Sequence, residues 1–496
     1  MPFQNAPRRM LRRSLLAACA FSALPVLAFA ADVPATPEGA KKLSAVLEKY
    51  VGKPAAGAQP SITVTADGGH YTLAVDMAAM SAPMKAQGYS YDPAIIKIAV
   101  TEQSDGLWRY ERAEVPPLSF HGKDVASTIT LTDYKTSGIF DPALAWFKTV
   151  QGSLASGHIQ AKGPGVDEAF DLGAMTANGT GAAMTDGAVS GMVHEDIASI
   201  AGAFTITPGG AEPKPDAKPI KSNVHVDKAL VDIALDGVKT HPLLDLWAFA
   251  VAHPTRPELA ANEAAFKDLL RAALPGAYKL SETFAMGAIS VEAPQGVFKA
   301  ASGKGAIATS GAGAANAFEE RFAVDGLTLP PGLAPPQFAA LIPSAVDIGF
   351  KVSGYDLQAG AKEAINDMHL AGDGPVISTD DSPKVSAKFK SGGPIVVEIS
   401  PSHIVAPQLD LAFEGKVSWD GAKPVGAVTV HVKNFDKTVA ALKALGPMAS
   451  PQMLGALTMA KGLAKTEADG TLTWVGEMGA DGQMKVNGLP LGKAPM

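Results

Sequence analysis

Cysteine is almost absent from this sequence. The single residue, Cys19, lies inside an N-terminal leader that is described below. Once that leader is removed the chain has no thiol, which excludes disulfides, thiolate metal sites and cysteine nucleophiles. The stability of the mature protein must therefore come from the packing of apolar side chains.

Long apolar runs are also missing after the leader. A helix needs roughly 20 mainly apolar residues to cross a bilayer. Every later stretch of that length contains charged residues, glycine or proline. The sequence therefore predicts a mature chain that is soluble.

Concentrated positive charge is lacking as well. The whole chain has a formal net charge of −7, and the leader contributes four arginines and no acid, so the mature chain carries −11. Nucleic-acid binding depends on clustered Lys and Arg against phosphate, and no such cluster occurs here. Nucleic acid is therefore not a predicted partner, and anionic membrane headgroups are disfavoured for the same reason.

The histidines do not form a metal-binding pattern. None of the ten stands at the i, i+4 spacing of a zinc-binding helix. We interpret them as solvated or hydrogen-bonded strand residues. They are His70, His121, His158, His194, His225, His241, His253, His369, His403 and His431.

Three partial motifs also fall short of a catalytic or binding site. Ser190 lies between small residues, but the spacing differs from that of a nucleophile elbow. Gly311–Asn316 lacks the last glycine of a dinucleotide-binding loop and is interpreted as a hairpin. Asp373, Asp380 and Asp381 lack the regular ligand spacing of a calcium loop. We therefore predict no catalytic residue, no metal ligand and no cofactor, and we assign no ligand-binding residue.

What the sequence does contain begins with the leader. Four arginines precede the apolar run Leu15–Leu27, and Ala28–Ala30 has the small-x-small pattern that signal peptidase recognises. Residues 1–30 are therefore predicted to be a signal peptide. Cleavage near Ala30 would leave a soluble protein in the periplasm.

Two alternatives to an ordinary secretory leader stay open. Arg12–Leu16 partly matches a twin-arginine signal, which would export the protein in its folded state. Leu16–Cys19 matches a lipoprotein box, although most of the apolar run follows the cysteine. In that case Cys19 would be lipidated and retained.

The composition indicates many short strands. Apolar residues make up 47% of the chain, too many for a disordered protein, and the 50 glycines and 37 prolines favour tight turns. Apolar residues alternate with polar ones between Asp-Gly and Asn-Gly turns, as in antiparallel hairpins. The predicted fold is α+β and β-dominated, with antiparallel sheets, strand-to-helix repeats and a few capping helices.

A strand that leads directly into a helix recurs in the sequence. The clearest copy is Ala427–Lys443, where alternating valines are followed by Phe435-Asp436 and then by apolar residues at helical spacing. Tyr355-Asp356 and Phe140-Asp141 are predicted to mark two further copies. In each copy the aspartate is predicted to cap the first helical turn. Thr36, before Pro37, is predicted to cap the first mature helix in the same way.

The clearest break in the sequence is rich in proline. Residues 208–219 combine glycine, proline and charged residues, and they contain nothing that builds a core. We therefore predict an N-terminal strand-rich half at 31–207, a linker at 208–219 and a C-terminal strand-rich half at 220–496.

The general pattern resembles the secreted Gram-negative envelope proteins that are similar to AsmA-like proteins. The resemblance rests on the N-terminal helix, the hairpins, the strand-to-helix units and the closing segment Asp481–Pro490, where a strand precedes Asn-Gly-x-Pro. It implies long curved sheets that form an apolar groove, and a role in lipid handling and cell-envelope maintenance. It supplies no catalytic residues, and this chain lacks the mature membrane anchor of larger members.

Two functions follow as expectations. In the first, the protein is not an enzyme and binds a lipid or another amphiphile in an apolar sheet groove. In the second, it is a structural or protein-interaction module of the envelope, with envelope proteins as partners and no small ligand. Alternation in the sequence does not separate these two, because a groove and a packed sandwich both need one apolar face per strand.

The leader gives the first testable prediction. The intact mass of the exported protein should match a chain that begins at Ala31, because cleavage is expected after Ala30. Electrospray mass spectrometry of protein purified from the periplasm measures this directly. A diacylated mass starting at Cys19 would show instead that the lipoprotein box is used.

Overall fold

The computed structural model describes residues 31–54, 57–207, 218–311, 316–390, 392–421, 423–444, 446 and 450–493. These residues form two compact units. The first unit holds the described residues up to Lys221 together with Lys228–Gly276. The second holds Ser222–Asp227 together with the described chain from Ala277 onward. The predicted leader, residues 1–30, lies outside the described residues.

The helices are short compared with the sheets. Among the described residues, no helix combines the length and the apolar character needed to cross a bilayer. The α-helices are α1 (Pro37–Val51), α2 (Met77–Ser81), α3 (Thr240–Ala252), α4 (Arg256–Ala261), α5 (Glu263–Ala273), α6 (Leu357–Asn366), α7 (Ser382–Phe389), α8 (Phe435–Lys443) and α9 (Pro451–Leu463). Within the described ranges, 3-10 helices span Ala82–Gln87 and Pro336–Leu341.

The strands dominate the chain. The earlier ones are β1 (Ile62–Asp67), β2 (His70–Asp76), β3 (Ser90–Tyr91), β4 (Ile95–Glu102), β5 (Trp108–Glu114), β6 (Leu118–His121), β7 (Ala126–Thr132), β8 (Lys135–Asp141), β9 (Trp146–Leu154), β10 (Ser156–Gly163), β11 (Val166–Leu172), β12 (Met175–Ala183), β13 (Val189–Ile197) and β14 (Ile200–Ile206). The later ones are β15 (Ile220–Val226), β16 (Ala229–Val238), β17 (Lys279–Met286), β18 (Ile289–Ala293), β19 (Gly296–Ala300), β20 (Ser302–Ser310), β21 (Asn316–Asp325), β22 (Ala345–Tyr355), β23 (Ile395–Ala406), β24 (Leu409–Trp419), β25 (Val425–Lys433), β26 (Lys465–Thr466), β27 (Leu472–Met478), β28 (Gln483–Val486) and β29 (Leu489–Lys493).

Each unit contains a large and a small antiparallel sheet. In the first unit the large sheet has the order β1-β2-β4-β5-β8-β9-β12-β13-β16. The second sheet of that unit has the order β3-β6-β7-β10-β11-β14. In the second unit β17 and β20 to β25 pair in sequence, followed by β27, β28 and β29. There β15, β18 and β19 form the small sheet. The predicted β-dominated, antiparallel class is confirmed.

The core of the first unit lies where strands bend from one sheet into the other. Only one or two residues separate β9 from β10, β11 from β12 and β13 from β14. Backbone hydrogen bonds continue through the bend, since the Ala155 N–H donates to the Thr132 carbonyl at 2.9 Å. Leu154, Leu172 and Ile197 flank these bends and are buried. Each pair is therefore one long bent strand with its apolar side chains packed in the angle.

Glycines in the sheets make room for aromatic rings. Tyr110 lies opposite Gly138, and Phe284 lies opposite Gly305. A Cβ atom at either glycine would overlap the facing ring. Because a glycine has no side chain, the ring can lie flat across the neighbouring strand. The high glycine content therefore serves cross-strand packing as well as turns.

Two of the predicted helix caps are confirmed. The Asp356 carboxylate accepts a hydrogen bond from the Ala359 N–H at 2.8 Å, at the start of α6. The Thr36 hydroxyl accepts one from the Gly39 N–H at 3.0 Å, at the start of α1. Each oxygen satisfies a backbone donor that the first helical turn leaves free.

The predicted cap at Asp436 is wrong, although the strand and helix of this copy are confirmed. The N-cap of α8 is Asn434, whose φ of 59° lies in the left-handed region, and it makes no side-chain capping bond. The turn at Asn434 starts the helix before Asp436, which falls within the first turn. There its carboxylate pairs with Lys461 of α9 at 2.5 Å.

The predicted helix after Phe140-Asp141 is also wrong. This segment is the turn between β8 and β9, and Phe140 pairs with Phe147 across the hairpin. Asp141 accepts a hydrogen bond from the Ala143 N–H at 2.9 Å, which closes a turn. Phe147 and Val150, which with Leu144 suggest helical spacing, lie in β9, because cross-strand aromatic packing outweighs local helix propensity.

The observed units differ from the predicted halves. Residues 208–217 of the predicted linker lie outside the described residues. Helices α3, α4 and α5 belong to the first unit, and the second resumes at Ala277. One reason is a contact within the first unit, where the indole N–H of Trp247 in α3 donates to the Tyr50 carbonyl of α1 at 2.8 Å.

The two aspartates give a matched test of capping. Asp356→Ala should lower the free energy of unfolding by about 1 kcal/mol, because it removes an N-cap. Asp436→Ala should change it by less than about half of that, since an exposed ion pair contributes little. Urea denaturation of both variants measures the difference. Equal losses would contradict the assignment of the cap to Asp356 alone.

Candidate functional site

The large sheet of the second unit has one polar face. Opposite charges on neighbouring strands pair across it at N–O distances between 2.6 and 3.7 Å. Side chains in this position are solvated, so the pairs add little stability. They are Lys351–Glu319, Arg321–Asp347, Lys416–Glu398 and His403–Asp410.

The other face of the same sheet is apolar. Strand register places side chains from successive strands side by side on it, and one such row runs Ile307, Glu320, Phe350, Ile399. The rings of Phe318 and Phe350 approach to 5.9 Å between centroids, which confirms that they share this face. Alternation along antiparallel strands thus gathers apolar residues from distant parts of the chain.

The middle of this apolar face is exposed. Relative exposure is 45% for Phe322, 38% for Ile348, 36% for Phe350 and 42% for Val397. These residues lie on three adjacent strands, β21, β22 and β23, inside the sheet and away from its edges. We call this region the open apolar face. Large contiguous apolar exposure is unusual in a folded chain and marks sites of interaction.

One end of the apolar face is covered by helices. The Trp474 indole N–H donates to the Ala460 carbonyl of α9 at 2.7 Å. The rings of Trp474 and Phe435 of α8 lie 5.7 Å apart. Beneath them Val432 and Leu472 are buried. The apolar face is therefore covered where α8 and α9 pack, and it is exposed to solvent at β21 to β23.

Two carboxylates interrupt the apolar face. Glu282 of β17 and Glu320 of β21 lie on either side of Ile307 in the strand register. Glu282 and Glu320 are the charged residues on this face in the described parts of β17, β20 to β25 and β27, as judged from the alternation of residues along each strand. Both are partly buried.

A comparable carboxylate lies on an apolar face of the first unit. Glu168 of β11 is opposite Ala161 and Phe204, two strand neighbours with apolar side chains. Burial raises the pKa of the Glu168 carboxyl above its ordinary value. Partial withdrawal from water disfavours the charged form of a carboxyl group, which is the physical cause of this direction.

Seven of the ten histidines lie in strands, whereas His241 lies in α3, His253 is the C-cap of α3 and His369 lies outside the strands. Several pair with aspartates at the surface, as in His158 with Asp171 at 2.7 Å and His194 with Asp232 at 2.7 Å. Within the described ranges, no group of three or more His, Cys, Asp or Glu side chains is placed to hold a metal ion. The interpretation as strand residues is therefore wrong for His241, His253 and His369.

The partial motifs fall on ordinary strands and turns. Ser190 lies in β13 opposite Ala182, with no helix following it. Gly311–Asn316 joins the paired strands β20 and β21, as a hairpin does, although residues 312–315 lie outside the described residues. Asp381 accepts from the Ser378 hydroxyl at 2.6 Å and pairs with Lys384. Hydrogen bonds from Lys384 and Ser378 lower the pKa of Asp381.

Sequence reasoning found only part of this site. Phe350 and Val430 both lie on the apolar face, as the alternation of apolar and polar residues along their strands indicates, with Phe350 in the open region and Val430 opposite Trp474 at the covered end. The glutamates were missed. A signal for Glu320 is present in the sequence, because it lies two residues from both Phe318 and Phe322 and alternate strand residues share one face.

Comparisons with known proteins add no relative. No protein-family model, no curated protein and no solved structure matches this chain. The open apolar face is therefore the feature from which a function is inferred.

Two alanine substitutions test whether that face is open. Leu472→Ala should cost about 2–5 kcal/mol of unfolding free energy, because Leu472 is only 5% exposed and its loss leaves a cavity. Ile348→Ala should cost about 1 kcal/mol, since water already reaches the side chain. Chemical denaturation compares the two. A loss at Ile348 as large as that at Leu472 would mean that the face is a closed core.

Proposed function

We propose that this protein binds a lipid or another amphiphile non-covalently on the open apolar face and catalyses no reaction. The observation that carries the proposal is the exposure of Phe322, Ile348, Phe350 and Val397 in the interior of a sheet. Water contact with these side chains is unfavourable, and an apolar ligand would remove it. Smooth aliphatic and aromatic rows suit an acyl chain that lies along them.

The dimensions and energies fit such a ligand. The four adjacent strands β20 to β23 extend about 14 Å across the sheet, at about 4.8 Å per strand spacing. Each methylene group withdrawn from water contributes about 0.8 kcal/mol. A chain of about ten methylenes would gain about 8 kcal/mol before the cost of ordering it. Because association and ordering subtract from this gain, micromolar affinity is the upper limit for the chain alone.

We further propose that this binding takes place in the periplasm and serves maintenance of the cell envelope. Support for the location comes from the leader at residues 1–30, with its arginines, apolar run and small-x-small site. An apolar ligand that leaves a membrane needs a carrier surface in the aqueous space between membranes. The open apolar face has the chemistry of such a surface.

A second candidate is a protein-interaction module of the envelope. The observation in its favour is the short strand β29, where Leu489 and Leu491 are 52% and 54% exposed. Among the described strands, β29 pairs with β28 alone. An edge strand with free backbone groups and apolar side chains is a template for strand addition by a partner chain.

Charge substitution on the open apolar face tests the proposed binding. Phe350→Asp should weaken binding of the neutral fluorescent probe N-phenyl-1-naphthylamine at least about tenfold, because a ligand would have to desolvate the new carboxylate. The variant should stay folded with a lowered melting temperature, since Phe350 is 36% exposed but packs against Phe318. Fluorescence titration and thermal melts measure both quantities.

Thr283→Asp is the matched control. Thr283 is an exposed residue of β17 on the polar face of the same sheet. This variant should bind the probe as the wild type does. If the wild type binds neither the probe nor co-purifying lipid and Phe350→Asp unfolds the chain, these positions are ordinary core and the interaction module becomes the better reading.

A further inference from the structure

The charge pattern of the apolar face indicates the kind of ligand head group. Glu282, Ile307 and Glu320 are direct partners on three successive strands. Adjacent strands lie about 4.8 Å apart, so the two glutamates are about 10 Å apart at their Cα atoms. Along β21, Glu320 is flanked on the same face by Phe318 and Phe322. Acidic groups therefore border the exposed aromatic residues.

Neither glutamate is neutralised by the residues around it. In the described part of the chain, no hydrogen bond or ion pair satisfies the side chain of Glu282 or of Glu320. Their neighbour Glu319 differs, because it faces the polar side and its carboxylate lies 3.6 Å from the Lys351 ammonium. The cations of this sheet are thus placed on the polar face.

This asymmetry restricts what can cover the apolar face. An uncharged ligand that excluded water from Glu282 and Glu320 would leave two carboxylates without partners, which is costly. An anionic head group would add repulsion between like charges. An ammonium group would form charge-assisted hydrogen bonds with the carboxylates and replace the water it displaces.

We infer that the ligand is an amphiphile with an ammonium head group, held over Ile307 between Glu282 and Glu320, with its chain on Phe322, Ile348 and Phe350. This inference rests on the proposed function, because it names the ligand class of the same face. Ile307 lies midway between the glutamates, so both flexible carboxylates reach a cation placed there. The chain then crosses β21 toward β22 and β23, where the face is open.

Three twelve-carbon probes separate the contributions of head and chain. Dodecylammonium, dodecyl maltoside and dodecanoate, each below its critical micelle concentration, would compete against N-phenyl-1-naphthylamine on the full mature chain. The cationic probe should compete at least about tenfold more strongly than either of the others. In the double variant Glu282→Gln, Glu320→Gln the three should compete within about threefold of one another.

Glu319→Gln is the control for general attraction of cations to an acidic protein. It removes one carboxylate charge, where the double variant removes two, from the residue next to Glu320 on the polar face, and it should leave the cation preference unchanged. Equal competition by all three probes in the wild type, or a cation preference that survives the double variant, would overturn the inference and leave the proposed function standing. Absence of competition by every probe would overturn the proposed function itself.

Discussion

The structure depends on one constraint, which is that every alternating antiparallel strand creates an apolar face that must be covered or left in water. In the first unit the strands bend, and Leu154, Leu172 and Ile197 are buried in the angle. In the second unit α8 and α9 cover the end of the sheet near Trp474. Cover is incomplete at β21 to β23. A face that the described part of the chain leaves uncovered is the natural place for the proposed ligand.

The two faces of that sheet differ in electrostatics as much as in polarity. On the polar face positive and negative side chains alternate between strands and neutralise each other, as Arg321 and Asp347 do at 2.7 Å. On the apolar face the charged positions are acidic and lie apart from the lysines and arginines. This difference between the faces is what the proposed binding on the apolar face requires.

Much of the fold could be predicted from the sequence because its signals are local. Period-two alternation and Asp-Gly or Asn-Gly turns identify strands and hairpins without knowledge of their partners. The cap at Asp356 was predictable for the same reason. At Asp141 and Asp436 the outcome depends on non-local contacts, namely the pairing of Phe140 with Phe147 and the position of Lys461 on a later helix.

The candidate site was predictable only in part. Alternation shows that Phe350 belongs to an apolar face, but it does not show whether another layer covers that face. Exposure depends on where α8 and α9 pack, which is a tertiary property. The importance of Glu282 and Glu320 likewise depends on the register of three strands that are separated along the chain. Alternation along a single strand shows that each glutamate lies on an apolar face, but it does not show that the two glutamates are close to each other.

Photo-crosslinking tests the central claim most directly. A twelve-carbon amine with a terminal diazirine would be irradiated with the mature protein, and the adducts located by tandem mass spectrometry. The account predicts adducts on Phe322, Ile348, Phe350 and Val397, and none on the alternating residues Arg321, Lys351 and Glu398 of the polar face. Adducts divided equally between the two faces, or confined to the first unit, would contradict the assignment of ligand binding to the open apolar face.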